Sequence, residues 1–351
     1  MQADRVDKRI ILLICGVVQL LCVLAFAFLA LAPPPVLWPF FVVVSLWGAA
    51  QAFSAPANIA FLSALVPENL LPRAVAWNML ALQGGNILGP WLGGVLCAAS
   101  LFVPYLVSAF FLAVSIFCGF WLLRLPLIAK PKSKDVFRLT MLYEGFVYLR
   151  HNRLILGTMT LDLVATFLGG VAALLPAYAK DVLQAGPEAF GYLRAAVPLG
   201  RGIGVLFFAL NPLLTHVGPK LLGSVLVYGL ATLVFAFSGS FALSLVALMV
   251  TGAADAVSVF LRQSLLQISV PNGMRGRVSA LSSLSVSASD GLGEFESGVT
   301  ARLMGLVGAA AFGGAGSVVV TLLWAKLFPE LRKVDRLNAP QDQRLEKQTP
   351  K

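Results

Sequence analysis

The chain has 351 residues, of which 58% are hydrophobic and 12% charged, and it carries a formal net charge of +10. A soluble domain has about 25% charged residues, so this composition excludes an ordinary water-soluble fold. It points to an all-α polytopic membrane protein, because a helix of about 20 apolar residues satisfies its own backbone inside lipid.

In chain order the apolar runs are 10–32, 37–57, 75–99, 103–125, 154–178, 189–210, 219–238, 240–261, 278–304 and 306–327, which predicts about ten transmembrane helices. Pro33, Pro34 and Pro35 separate the first two. The first run is too long for the core of a signal peptide and is read as a span. The sequence divides into a helical half over 1–125, a linker over 126–153, a six-helix half over 154–327 and a polar, basic tail over 328–351.

Lys and Arg set the orientation. Alternate connections and the two ends hold 22 of the 26 basic residues, Arg262, Arg275 and Arg277 among them in a predicted loop over 262–277. Basic loops stay in the cytoplasm, so both termini are expected there. The positive charge is therefore a matter of topology and does not predict nucleic-acid binding. No HExxH, GxxxxGK[ST] or GxSxG spacing occurs, so nothing predicts an enzyme, a cofactor or a metal site. Cys15, Cys22, Cys97 and Cys118 all lie in apolar runs without CxxC spacing and read as small hydrophobes.

Sliding the chain by 204 residues reveals an internal repeat. Fifteen of the 48 positions from 48 to 95 are identical to those from 252 to 299. The matches include "GAA" on "GAA", "VP" on "VP", Arg73 on Arg277 and "LGPWLGGV" on "LGEFESGV". Two homologous halves are the plan of transporters built from parallel six-helix repeats. At this offset the spans 154–178 and 189–210 have no counterpart after residue 1, so the expectation is helices 3–12 of a twelve-helix, 6+6 architecture. A non-transporting fragment or mis-started gene is the alternative to an intact transporter.

Several segments carry a family resemblance. "ADRVDKR" resembles the loop motif G-x-L-A-D-R-x-G-R-R of the major facilitator superfamily, with Asp7 where glycine is usual. "GNILGPWLGG" resembles its antiporter motif G-x-x-x-G-P-x-x-G-G, at Gly85, Gly89, Pro90, Gly93 and Gly94. "LDLVATFLGGVAALLPAYAKDVL", "ADAVSVFLRQSLLQ", "MRGRVSA", "GEFESGVTA" and "FPELRKVDRL" resemble segments of the transmembrane secretion effector (enterobactin exporter-like) family. The resemblance implies a secondary active transporter that exports a small amphipathic molecule, drug-like or siderophore-like, by alternating access with proton antiport. Its partners would be that substrate, protons and the lipid bilayer. In the loop, Asp4, Arg5 and Arg9 are candidate gating charges, since pairs at a helix end can favour one of two packings. In the antiporter motif the glycines leave a flat face for close helix approach and Pro90 can bend the helix.

Ionisable residues within spans are costly and default to function. Asp162, Asp290, Glu294 and Glu296 are the candidates for proton coupling. Arg201 and Arg194 are candidate counter-ions or partners for an anionic substrate. Asp290 and Glu294 are four apart and share a helix face. Asp255, Glu294 and Glu296 fall opposite Gln51, Pro90 and Leu92 in the repeat, so these acidic groups belong to the second half alone.

Overall fold

The computed structural model describes residues 8–31, 37–67, 69–123, 139–210 and 216–334. The chain folds as two units, Met1–Asp135 and Val136–Lys351.

Among the described residues, the first unit holds four helices: α1 (Lys8–Leu31), α2 (Leu37–Leu65), α3 (Leu71–Ala99) and α4 (Val103–Leu123). Pro72 opens α3, where a missing N–H costs nothing. α1 packs on α2 and α4. A Cβ on Gly16 would sit 3.2 Å from Ile116, and one on Gly119 would sit 2.9 Å from Leu13, so two glycines set the α1–α4 spacing. Gln19 donates to Gln51 at 2.9 Å across α1 and α2. Phe26 stacks between Phe40 and Tyr105, each 6.1 Å away by ring centroid.

The second unit opens with α5 (Leu139–His151) and α6 (Arg153–Leu168), followed by a 3₁₀ turn (Val171–Ala173), the short α7 (Leu175–Ala177) and a π turn (Tyr178–Val182). Then come α8 (Pro187–Leu210), α9 (Val217–Ala236), α10 (Phe241–Ser269), α11 (Asn272–Leu327) and α12 (Pro329–Arg332). Asn152 caps α6, its side chain accepting from the Ile155 amide at 3.3 Å. α11 is two helices meeting at Gly305, whose φ of 77° only glycine adopts readily.

Among the described residues, seven helical stretches are long and apolar enough to cross a membrane, and one of them, Gly273–Leu327, contains the Gly305 break and so two helices. α3, with 29 residues, and α8, with 24, are long enough to cross but fall outside that apolar set. With Gly273–Leu327 counted as two, these stretches together with α3 and α8 fall on the ten apolar runs, and the fold is that of a polytopic helical membrane protein.

The repeat extends to element boundaries. α2 shifted by 204 residues falls on Phe241–Ser269, the bounds of α10. α4 shifted likewise ends at Leu327, where α11 ends, and begins two residues after Gly305. Packing repeats too: α9 packs on α10 and α11 as α1 packs on α2 and α4.

Four expectations need correction. α2 and α10 each run eight residues beyond the ends read from hydropathy, because Pro67 and Pro271 rather than the polar residues before them end the helical stretch. The run 154–178 is not one helix; α6 stops at Leu168 and Gly169–Gly170 breaks it. A Cβ on Gly169 would meet the Tyr228 ring at 2.8 Å, and one on Gly170 would meet the Gly293 carbonyl carbon at 2.6 Å, so close approach requires both glycines. The linker contains α5, whose Leu149 is buried with Ile155, Val270 and Val278. The tail does not begin at 328: Leu331 is fully buried with Val217, Leu221 and Leu261, and the Gly218 amide donates to the Val334 carbonyl at 3.0 Å.

Candidate functional site: an ionised cluster in the second unit

α8 and α10 meet along small residues. A Cβ on Gly200 would fall on the Met249 carbonyl and lie 2.9 Å from its Cα. One on Gly252 would fall on the Val197 carbonyl, 3.0 Å from its Cα, and one on Gly204 would lie 2.8 Å from the Ala253 oxygen. Small residues bring backbones this close when apolar area alone gives no drive to associate in lipid. This close approach delivers Arg201 of α8 to Asp255 of α10: Nε donates to Oδ2 at 2.8 Å.

Asp255 and Arg262 are seven residues apart on α10, two turns along one face. Arg262 points to α6 and pairs with Asp162, Nη1 to Oδ2, at 2.5 Å. Arg262 is 3% exposed and Asp162 8%, so this is a buried ion pair. Breaking such a pair from one side is far costlier than an exposed one, because a charge is left behind. Next to it, Ser289 of α11 donates to the Leu163 carbonyl at 3.1 Å, pinning α11 to α6. Tyr228 of α9 donates to the Gly169 carbonyl at 3.0 Å, an oxygen that also accepts from the Val171 amide at 2.7 Å.

Asp162 and Asp255 both face a cavity of about 20 Å³, walled also by Thr166, Tyr228 and Ser258. Asp290, on α11, lies within electrostatic reach of Arg201, Asp255, Glu294 and Arg262. It has no ion pair within 4.0 Å among the described residues.

The other residues singled out in the sequence lie elsewhere. Arg194 donates to the Ala172 carbonyl at 3.2 Å. Glu296 accepts from Thr300 on its own helix. Glu294 is exposed one turn beyond Asp290. Of the gating charges, Arg9 is buried near the start of α1, while Asp4 and Arg5 lie outside the described residues. Gly85, Gly89 and Gly93 of α3 have open space where a Cβ would stand, Gly94 is buried, and α3 continues through Pro90 without interruption. Their counterparts in the repeat are packed: a Cβ on Gly293, the match of Gly89, would lie 2.6 Å from the Phe167 oxygen, and Ser297, the match of Gly93, is buried against Gly170.

Arg201 is thus bonded to Asp255 and not to any of the four carboxylates chosen as coupling candidates. The loop expected from hydropathy at Arg262 is also corrected: the residue lies inside α10, two turns from the helix end. Its seven-residue spacing from Asp255, with no helix breaker before Pro271, was the available signal.

A family model described as Major Facilitator Superfamily matches residues 1–294. The enterobactin exporter EntS of Citrobacter koseri is 32% identical over 339 residues, covering 94% of this chain and 79% of that protein. The enterobactin exporter EntS of Escherichia coli O1:K1 is 31% identical over 337 residues, with the same coverage. Among solved structures, the nucleoside transporter NupG aligns over 93% of this chain and 84% of its own, with TM-score 0.69 and 14% identity. A bacterial homologue of the iron transporter ferroportin, in an inward-facing state, aligns over 93% and 83% with TM-score 0.63 and 16% identity. These two share the fold. The extent of the family match and the relatives at this identity establish that the chain belongs to the Major Facilitator Superfamily and is a multi-pass membrane transporter rather than an enzyme.

Proposed function

We propose that the chain is a secondary active exporter of a small amphipathic, siderophore-like molecule, working by alternating access and proton antiport. The observation that carries the substrate class is the 32% identity, over 94% of the chain, to a protein named as an enterobactin exporter. Proton coupling is supported by the ion-paired carboxylates of α6 and α10 beside Asp290, since a carboxylate sheltered from water can exchange a proton as access alternates. Asp162 and Asp290 are the leading coupling groups, with Glu294 and Glu296 nearby on α11. Arg201 and Arg194 are the cations available to an anionic substrate. The distribution of Lys and Arg supports cytoplasmic termini, and the exporters of Citrobacter koseri and Escherichia coli support a bacterial inner membrane. The gating role of Asp4, Arg5 and Arg9 rests on the loop motif. A close-approach role for Gly85, Gly89, Pro90, Gly93 and Gly94 is supported by the packing of the matching positions Gly293 and Ser297 on α6 and its following turn.

Everted vesicles from cells expressing the chain test the proposal. Energised vesicles should accumulate enterobactin, and an uncoupler should abolish accumulation. Accumulation that survives the uncoupler would remove proton antiport. No accumulation above control vesicles would remove export of this substrate class.

A further inference from the structure

The first unit holds a cleft of about 250 Å³ between α1, α2 and α4. Val23 and Phe26 of α1, Val44 and Trp47 of α2, and Tyr105 and Ser108 of α4 line it. Three aromatic rings converge on this space, and two of them, Phe26 and Tyr105, lie with their planes 27° apart. A dry apolar cavity of about 150 Å³ takes up benzene, whereas pockets for whole drug-sized molecules begin at about 300 Å³. The cleft therefore has room for one substituted aromatic ring.

The lining also says what that ring must carry. The Trp47 indole N–H and the hydroxyls of Tyr105 and Ser108 make no hydrogen bond among the described residues. Ser45, on the same helix as Trp47, shows the usual alternative, its hydroxyl donating to the Phe41 carbonyl at 2.7 Å. Ser108 does not turn back in this way. An acyl chain in the cleft would leave all three polar groups unsatisfied within lipid. A hydroxyl on an aromatic ring satisfies them, since it accepts from the indole and both donates to and accepts from the two side-chain hydroxyls. Among the described residues no Lys, Arg, Asp or Glu lines the cleft, so a carboxylate or an ammonium would enter without a counter-charge.

The aromatic set belongs to the first unit alone. At the 204-residue offset Phe26, Trp47 and Tyr105 fall on Leu230, Thr251 and Ala309, and Ser108 falls on Phe312. Packing that both halves need would recur in both, and these three rings do not. We propose that the cleft binds one neutral, hydroxylated aromatic ring, of the phenol or catechol class, carried by the exported molecule. All six lining residues stand in the part of their helices remote from Lys8, which opens α1. With the basic start of α1 on the cytoplasmic side, the ring docks in the outer half of the unit, on the exit side of an exporter. That the ring belongs to the cargo rests on the export reading above; that the cleft takes such a ring does not.

The test is fluorine NMR of 4-fluorocatechol at neutral pH with the full chain in lipid nanodiscs, read against empty nanodiscs. The fluorine line should broaden with the wild-type chain. Unlabelled catechol should reverse the broadening, and benzoate and cyclohexanediol should not. Ser108→Phe places in the cleft the ring that the second half carries at Phe312, and it should abolish the broadening. Tyr105→Phe keeps the ring beside Phe26 and removes one hydroxyl; it should weaken binding by roughly threefold to tenfold. This variant keeps the test open if Ser108→Phe does not fold. No broadening beyond empty nanodiscs, equal broadening in Ser108→Phe, or equal displacement by cyclohexanediol would overturn the site. If vesicles accumulate no enterobactin while 4-fluorocatechol still binds and Ser108→Phe abolishes it, the export reading fails and the ring site stands.

Discussion

The substitution Gly252→Ala probes whether the close approach of α8 and α10 sets the Arg201–Asp255 bond. The added methyl would fall on the Val197 carbonyl and lie 3.0 Å from Val197 Cα. Carbon atoms rest at about 3.5–4.0 Å, so the two backbones must part by roughly 1 Å. The blocking atoms are backbone, which no rotamer change relieves. Arg201 Nε is 2.8 Å from Asp255 Oδ2 in the wild type. A parting of roughly 1 Å takes that distance beyond the 3.2 Å at which a hydrogen bond is effective. Overpacking of this kind costs about 1–3 kcal/mol, or roughly 2–12 °C in Tm for a unit of this size. The assay is thermal unfolding in detergent of G252A, R201M, D255N and their combinations. In the wild-type background R201M and D255N should be non-additive, by about 0.5 kcal/mol or more. In the G252A background they should become additive. A G252A chain with an unchanged Tm and an unchanged Arg201–Asp255 coupling would refute the argument.

The buried pair behaves differently. Arg262→Met alone should destabilise by about 3–5 kcal/mol, and adding Asp162→Asn should restore much of that loss, read from the same melts. Leu331→Ala should cost about 2–5 kcal/mol, since Leu331 is fully buried between helix ends; an effect below about 1 kcal/mol would mean that the segment after α11 does not hold them. Tyr178→Phe should cost about 1–3 kcal/mol, because its hydroxyl donates to the Phe235 carbonyl at 2.8 Å in a fully buried site. The exposed Arg153–Glu330 pair, 4.0 Å apart, gives a control: Arg153→Ala should change stability by less than about 1 kcal/mol.

The spans and the repeat were legible because lipid imposes one rule on every stretch of backbone. The same 204-residue offset aligns residues such as Arg73 with Arg277 and the boundaries of α2 with those of α10. Hydropathy counts a charged residue as polar whether or not a distant partner neutralises it. It therefore ended α10 before Arg262, although Asp162 on another helix neutralises that charge. It passed over Gly169–Gly170 because glycine is compatible with an apolar run, whereas the break is dictated by Tyr228 and Gly293, far away in sequence. α5 escaped notice because it is only 13 residues long, and Leu149 is buried partly by Leu266, Val270 and Val278, more than 100 positions later in the chain. The partner of Arg201 was not legible in the sequence for a similar reason: the glycines that bring α8 against α10 place it beside Asp255.

Phe328–Val334 joins the ends of α6, α9 and α10. Leu331 is wedged over Gly157 and Gly218, and the backbone bond from Gly218 to Val334 closes the strap. At the other end of α6 the helix is interrupted at Gly169. One end of this helix group is therefore tied by the chain's last described segment, and the other by the Tyr228 hydroxyl at the break; the Asp162–Arg262 pair lies between these two fastenings.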